Sequence, residues 1–436
     1  MPGKPIMATE PSTRSLDITA VRGHFPALGR PVAASAAGSA APIAFFDNPA
    51  GTQICAESLG RISRYLVEDN ANHGGVFTAS RRSDAMVQET RQATADFLGA
   101  SRPEEVLFGA NMTTLTLHLS RSLARELSPG DEIVVTRLDH DANISPWLLI
   151  AQDRGCVVRW VDFDPADCSW SAGALSRQLS TRTRIVAIGC ASNATGTVNP
   201  VAEAARLAHD AGALVFVDAV HYAPHRPIDV AAIGCDFLAC SAYKFFGPHA
   251  GILWGRRELL DRLLPYKVRP ASDETPHRWE TGTHSFEAIA GVAGAIEYLE
   301  WLGRTFGAAD RAGRRERLRA AMAVIREQED SLSRAMRDGL ASVRGLQIHG
   351  ITEDLGRRVA TYAFTLEGWH PARICEELDR VGIYAWNGNY YAPEVTRRLG
   401  LEGSGGMVRV GAVHYNTMEE VERLVAAVGS IASRRP

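Results

Sequence analysis

The sequence has no paired cysteines. Its seven, Cys55, Cys156, Cys168, Cys190, Cys235, Cys240 and Cys375, are odd in number and show no C-x-x-C spacing. Most sit in apolar runs, a pattern of reduced core thiols rather than of disulfides or a zinc site. An excess of one charge is also missing: the formal net charge is -3 over 436 residues, and neither nucleic acid nor an anionic membrane is expected as a partner. No window holds eighteen uninterrupted apolar residues, so no membrane-spanning helix is expected. Residues 1–14 are rich in Pro, Ser and Thr and lack an apolar secretory core, which makes a cytoplasmic location the expectation. No internal repeat points to a solenoid. His221 and His225 are four apart, but Pro224 and Pro227 disfavour the helix such a pair needs, and no metal site is expected.

What is present is ordinary globular composition, 45% hydrophobic and 22% charged, on a chain long enough for two or three domains. Ile18, Val21, Phe25 and Leu28 predict a short amphipathic helix over 16–28. Residues 31–42, rich in Ala, Ser and Gly, read as a loop, and a strand over 43–48 runs into a Pro-Ala-Gly turn. From residue 84 onward, helical patterns mostly separate strands predicted at 105–108, 132–135, 157–162, 184–188, 214–217, 237–240 and 251–254. Such alternation implies an α/β unit with a mostly parallel sheet covered by helices on both faces. Near residue 296 the character changes. A long helical stretch over 288–306 leads to an Arg-rich segment, 311–337, read as a solvated helix face. Strands at 346–349, 359–366 and 407–410, with helices over 371–381 and from 418, complete a smaller α+β unit. The expected division is an N-terminal extension and helix (1–42) packing with the small domain, a large domain (43–295) and a small C-terminal domain (296–436).

Ligands on parallel sheets bind beyond the carboxyl ends of strands, and the polar clusters fall there. Lys244 leaves the strand 237–240 in Ser241-Ala242-Tyr243-Lys244, where desolvation lowers an amine's pKa and makes it a nucleophile. Asp218 ends the strand 214–217. A lysine able to form a Schiff base and an acid facing a pyridinium nitrogen are the two handles a protein needs on pyridoxal phosphate. Seen alone, they also read as a surface lysine and a helix cap. The run from Gly109 to Thr114 joins a strand to a helix, and its backbone N–H groups and two hydroxyls suit a phosphate dianion, though Thr113 or Thr114 could equally be an N-cap. His140 could stack on a planar ring and move protons, or be a solvated loop histidine. Asn193 could meet a substrate carboxylate or a phenol oxygen, or form an Asx turn.

Taken in order, Phe46-Asp47-Asn48, Thr113-Thr114, Asp139-His140-x-Ala142-Asn143, Ser192-Asn193, Asp218-Ala219-Val220-His221, Ser241-x-x-Lys244-x-x-Gly247-Pro248, Glu280-Thr281-Gly282-Thr283 and Val408-Arg409-Val410 resemble the class V aminotransferase-like enzymes, of fold type I among pyridoxal 5'-phosphate-dependent transferases. The likeness covers residue 45 to the C-terminus and is greatest to cysteine desulfurases and selenocysteine lyases. It implies that Lys244 is the Schiff-base lysine, with Ser241, Thr113 and Thr114 on the phosphate and Asp218 on the pyridine nitrogen. His221 would stand against the phenol oxygen, where desulfurases usually carry glutamine. His140 would stack on the ring. Thr283 would reach the phosphate of a neighbouring subunit, implying a homodimer with shared sites. Arg409 would clamp the α-carboxylate of an amino-acid substrate, helped by Asn193 and Asn48.

One departure bears on the reaction. Desulfurases carry sulfur on a cysteine in a small-domain loop, and Tyr391 falls about there in this sequence. A phenol cannot accept and pass on sulfane sulfur, and Cys375 lies in a helical core pattern. The implied activity is therefore that of a desulfurase-like lyase, which breaks a C–S or related bond in the substrate's side chain through an external aldimine and a carbanion. His140, Tyr390 and Tyr391 would be its acids, or would simply wall the pocket. The run 221–230 also resembles a fungal natural-product enzyme that decarboxylates aspartate and adds the carbanion to an aldehyde. That leaves carbon–carbon chemistry, or epimerisation, as an alternative. A non-catalytic cofactor-binding protein is a further alternative, against which Lys244, Asp218 and Arg409 stand together. The loop 384–393 is where specificity is expected to be set.

Overall fold

The computed structural model describes residues 16–29, 42–310 and 312–434. The extension at 1–14 and, apart from Pro42, the loop at 31–42 lie outside them. A first short strand, β1 (Ala44–Phe45), precedes the strands of the large sheet: β2 (Val106–Gly109), β3 (Glu132–Thr136), β4 (Val157–Val161), β5 (Thr183–Gly189), β6 (Leu214–Asp218), β7 (Phe237–Ser241) and β8 (Gly251–Gly255). They pair in the order β2-β8-β7-β6-β5-β3-β4. β3 to β7 pair in parallel, whereas β8 is antiparallel to both neighbours and so runs against all the others. The central strands are apolar almost throughout because helices cover both faces. Successive residues feed two cores: Val215 and Val217 enter one and Phe216 the other. Parallel pairing brings the carboxyl ends of β3, β5, β6 and β7 to one edge of the sheet.

The smaller sheet, β12-β13-β10-β9, is antiparallel throughout. It comprises β9 (Leu346–His349), β10 (Thr361–Leu366), β12 (Trp386–Gly388) and β13 (Met407–Gly411), with β11 (Ile383–Tyr384) beside it. Leu332 and Met336 of the helix Arg314–Ala341 and Val421 and Leu424 of the helix Met418–Ser433 share its core.

The structure differs from the expected domain division in two places. β1 was expected to open the large domain, yet it pairs in parallel with β11, and Ala44 and Phe46 lie in the small sheet's core. The expected boundary at 295/296 falls inside the helix Phe286–Thr305, which stays buried on both sides of that point. A continuous apolar face gives no reason for a break there. The N-terminal helix is short, Ile18–Gly23, and a 3-10 turn over Pro26–Gly29 follows it. Its Phe25 packs edge-on against Phe246 and Tyr298 and, tilted, against Tyr415, while Arg22 pairs with Glu420. The arginines near 314 do more than face solvent. Arg314 and Arg317 pair with Glu300, and Arg315 with Asp229.

A buried ion pair fixes the segment leading to Thr283. Glu280 meets Arg91 at 2.8 Å, accepts from the Phe108 N–H of β2 at 2.9 Å, and is bonded by His284. Burial works against its charge, but Arg91 and His284 outweigh it and hold the carboxyl down at about 2. The stabilisation is thus complete above the ordinary carboxylate pKa of about 4.3 and disappears as pH falls toward 2. Glu280→Ala should lose about 3–5 kcal/mol in denaturant unfolding at pH 7. It should also flatten the acid limb of the stability curve, and an unchanged limb would refute this account.

Candidate active site

The turns after β3, β5, β6 and β7 carry the candidate functional groups. Lys244 closes the 3-10 turn Ala242–Lys244 directly after β7. It is buried, and its Nζ donates to the Ala50 carbonyl at 3.0 Å and to that of Pro49. Burial first, and the charge of Arg409 second, push its pKa down to about 7, against the pull of Asp218 and Asp47. The chain has only two other lysines, Lys4 and Lys267, and Lys267 pairs with Asp273.

Asp218 ends β6 and accepts from the Val220 N–H at 2.8 Å, with burial raising its pKa to about 6. Asp139, which also lines the inner cavity, is raised further, to about 7, by burial and by the Asp218 charge. A Cβ on Gly189, at the end of β5, would lie 3.0 Å from an Asp139 oxygen, so glycine there gives that carboxylate its room. His140 follows β3. Its Nδ1 accepts from the Ala142 N–H at 3.0 Å, which places the imidazole proton on Nε2. Burial and the charges of Lys244 and Arg409 lower its pKa to about 4. It is therefore neutral across the physiological range. His221 shares a hydrogen bond with Thr361 at 3.1 Å, and burial likewise keeps it neutral.

The helix Met112–Ala124 points its N-terminus at this edge, and its Met112 N–H donates to Ser241 Oγ at 3.0 Å. A Cβ on Gly251 of β8 would fall 2.4 Å from the backbone of Asn111, so only glycine admits the turn so closely. Thr113 lines the inner cavity. Thr114 does not: its hydroxyl donates to the Asn111 carbonyl and it faces a separate cavity with Thr281 and Thr283. The structure thus separates Thr114 and Thr283 from Lys244 within one chain. The one-residue step from Thr113 to Thr114, about 100° around the helix, puts Thr114 on another face of the N-terminus.

Arg409, central in β13, donates from Nη1 to the Asn193 carbonyl at 2.7 Å and lies 4.3 Å over the ring of Tyr390. Asn193 in turn donates to the Tyr390 carbonyl at 2.8 Å. Tyr391 is exposed, and its ring stacks on His140 with centroids 5.7 Å apart. Asn48 is held in a hydrogen-bond network apart from both cavities. Its Nδ2 donates to the carbonyls of Phe45 and Gly411 and to Asn416, its oxygen accepts from Tyr415, and it lines neither cavity. Sequence reasoning overlooked Tyr243, which lines both cavities, and Asp139 as an acid. Tyr243 sits one residue before Lys244 on the same turn, which was its only signal.

An inner cavity of about 560 Å³ is lined by Lys244, Asp218, His140, His221, Ser241 and Thr113 among others. An outer cleft of about 1210 Å³ shares Lys244, His140, Asn193 and Thr113 with it and adds Arg409. Asn193 Oδ1, Asp139 Oδ1 and Arg409 Nε are buried without partners, which is costly unless a bound group supplies them. An amine close to neutrality, a carboxylate at the end of the neighbouring strand and a helix N-terminus together fit the aldehyde, ring nitrogen and phosphate of one cofactor. Such a site on such a sheet defines a pyridoxal 5'-phosphate-dependent enzyme of the α/β type.

The family model described as Aminotransferase class-V matches residues 44–424, and the protein belongs to that family. A cysteine desulfurase of Synechococcus elongatus is 33% identical over 95% of this chain, which spans 64% of that relative's length. The aminotransferase-like protein FGM3 of Gibberella zeae is 32% identical, over 96% of this chain and 99% of its own. Among solved structures, the apo cysteine desulfurase of Thermococcus onnurineus matches with a TM-score of 0.83 at 25% identity, covering 95% of this chain and 98% of its own.

Because the neutral amine is the reacting form, capture of pyridoxal phosphate by apoprotein should speed up as pH rises from about 6 to 8 and level off above. Lys244→Ala should abolish the visible absorption of the covalently held cofactor and leave the far-ultraviolet dichroism unchanged. A visible band surviving in that variant would remove Lys244 from the role.

Proposed function

We propose that this enzyme binds an α-amino acid by its carboxylate at Arg409 and eliminates a side-chain substituent across a C–S or related bond, with no persulfide carrier. The observation that carries this reading is the absence of a thiol from the site: among the described residues, no cysteine lines either cavity. Cys375 lies on the helix Pro371–Arg380, its thiol pushed up to about 12 by burial, so it holds almost no thiolate at neutral pH.

The residues divide the work as follows. Asp218, deprotonated above about pH 6, would face the cofactor ring nitrogen, while Ser241 and Thr113 with the helix N-terminus would hold its phosphate. The bound cofactor supplies an electron sink for charge developing at the substrate's α-carbon. The Lys244 amine takes the α-proton, which its lowered pKa allows at neutral pH. The guanidinium of Arg409 keeps its charge and orients the carboxylate. Neutral His140 bears its proton on Nε2 and can donate a hydrogen bond to the leaving group, while the proton itself comes from Tyr391, stacked against that ring, or from the Lys244 ammonium formed on taking the α-proton. Arg409 and Lys244 are the cationic side chains that line the cavities.

The proposal extends to a homodimer, with Thr283 on an exposed loop facing a second copy, and to a cytoplasmic location. Among the described residues no helix is long and apolar enough to cross a membrane. Incubation with L-cysteine and with L-aspartate, with product analysis, is the direct test: sulfide and pyruvate from cysteine are expected, and carbon dioxide with alanine from aspartate would overturn the reading. A variant with all seven cysteines replaced should keep its lyase activity. Arg409→Ala should raise KM about 100-fold with the cofactor spectrum intact.

A further inference from the structure

The outer cleft is larger than a carboxylate clamp and a three-carbon amino acid require, and its far wall is apolar. Leu149 of the helix Ser145–Arg154, Pro146, Leu117 and Trp386 form that wall. Leu149, Trp386 and Tyr391 are 52%, 50% and 73% exposed, so three large apolar side chains gather at one mouth, where scattered ones would need no explanation. The wall is also placed in register with the clamp. Trp386 of β12 stands directly opposite Arg409 of β13, and opposite residues of an antiparallel pair share a face with their Cβ atoms about 4.5–5.5 Å apart. A substrate whose carboxylate lies on Arg409 therefore has an indole immediately beside it. Lys244, His140 and Asn193 line both this cleft and the inner cavity, so the cleft opens onto the reacting centre.

From this we propose that the outer cleft is a subsite for a bulky apolar or aryl group on the substrate's own side chain, Trp386 and Leu149 being specificity residues. The assignment deepens the elimination reading and rests on it for the reaction: the substrate class is a cysteine S-conjugated to an apolar group. The Cα–H and Cβ–S bonds break, and the Cβ–S electron pair leaves with sulfur. The sulfur takes a proton to become the free thiol, and water hydrolyses the remaining three-carbon enamine to pyruvate and ammonia.

The test uses the cofactor-loaded enzyme with two series. Among substrates, S-benzyl-L-cysteine should show kcat/KM at least about tenfold above S-methyl-L-cysteine, the gain expected when a hydrophobic pocket is filled. Among ligands without a leaving group, L-phenylalanine should perturb the cofactor spectrum at about tenfold lower concentration than L-alanine. Trp386→Ala should cut both ratios about fivefold, and Leu149→Ala provides the same reading should the first variant fold poorly. Tighter phenylalanine binding without thiol release from any conjugate would sink the elimination and support the subsite. Ready elimination from S-methyl-L-cysteine, with phenylalanine no better than alanine, would overturn the subsite and leave the elimination standing.

Discussion

Two cations share one water-poor cleft. Lys244 and Arg409 stand close enough that the guanidinium makes the ammonium harder to keep, and burial adds a penalty on both. They respond differently because an ammonium can give up its proton and a guanidinium does not. The amine moves to about 7 and becomes a nucleophile and base, while Arg409, at about 10, remains an anion receptor. Asp218 and Asp47 temper the effect on the amine without cancelling it. The same field reaches His140, which cannot become a third cation and so keeps a single proton on Nε2. The division of labour in the site follows from how each group escapes that crowding.

The cleft exists only where the two halves of the molecule meet. Lys244, Asp218, His140 and Asn193 come from the large sheet, while Arg409, Tyr390 and Tyr391 come from the small one. The seam is stitched through backbone as much as side chains: Asn193 donates to the Tyr390 carbonyl, and the Asp141 N–H to that of Tyr391 at 2.7 Å. Both tyrosines sit in the left-handed region, at φ of 57° and 58°, a conformation that costs of order 1–3 kcal/mol per residue unless its surroundings enforce it. Those cross-seam hydrogen bonds do so, and they aim one ring under Arg409 and the other along His140.

Much of this was legible because parallel sheets leave a plain record. Lys244, Asp218, His140 and Asn193 each lie within a few residues of the end of an apolar run, and strand ends are where such sheets put their chemistry. Arg409 was placed by likeness, through Val408-Arg409-Val410. Asn48 and Thr283 were placed by likeness alone and Thr114 by its position at a helix start, and their side-chain directions depend on what no pattern shows: Gly411, Asn416 and Tyr415 for the first, an exposed loop for the second, the local angle of a helix for the third. The seam at 295/296 misled because helical periodicity does not register which half a helix serves. β1 misled because a two-residue strand carries no pattern naming its partner.

That short strand has a consequence for how the protein is made. β1 leaves the ribosome before its partner β11, which follows roughly 340 residues later, and at a synthesis rate of about 5–20 residues per second that is an interval of about 20–70 s. The large sheet, whose last strand ends at Gly255, has all its strands before then. Throughout that interval Ala44 and Phe46 have no small-sheet core to enter. Folding during synthesis is thus sequential, and the cleft acquires the Arg409 guanidinium only after every strand of the large sheet has been made.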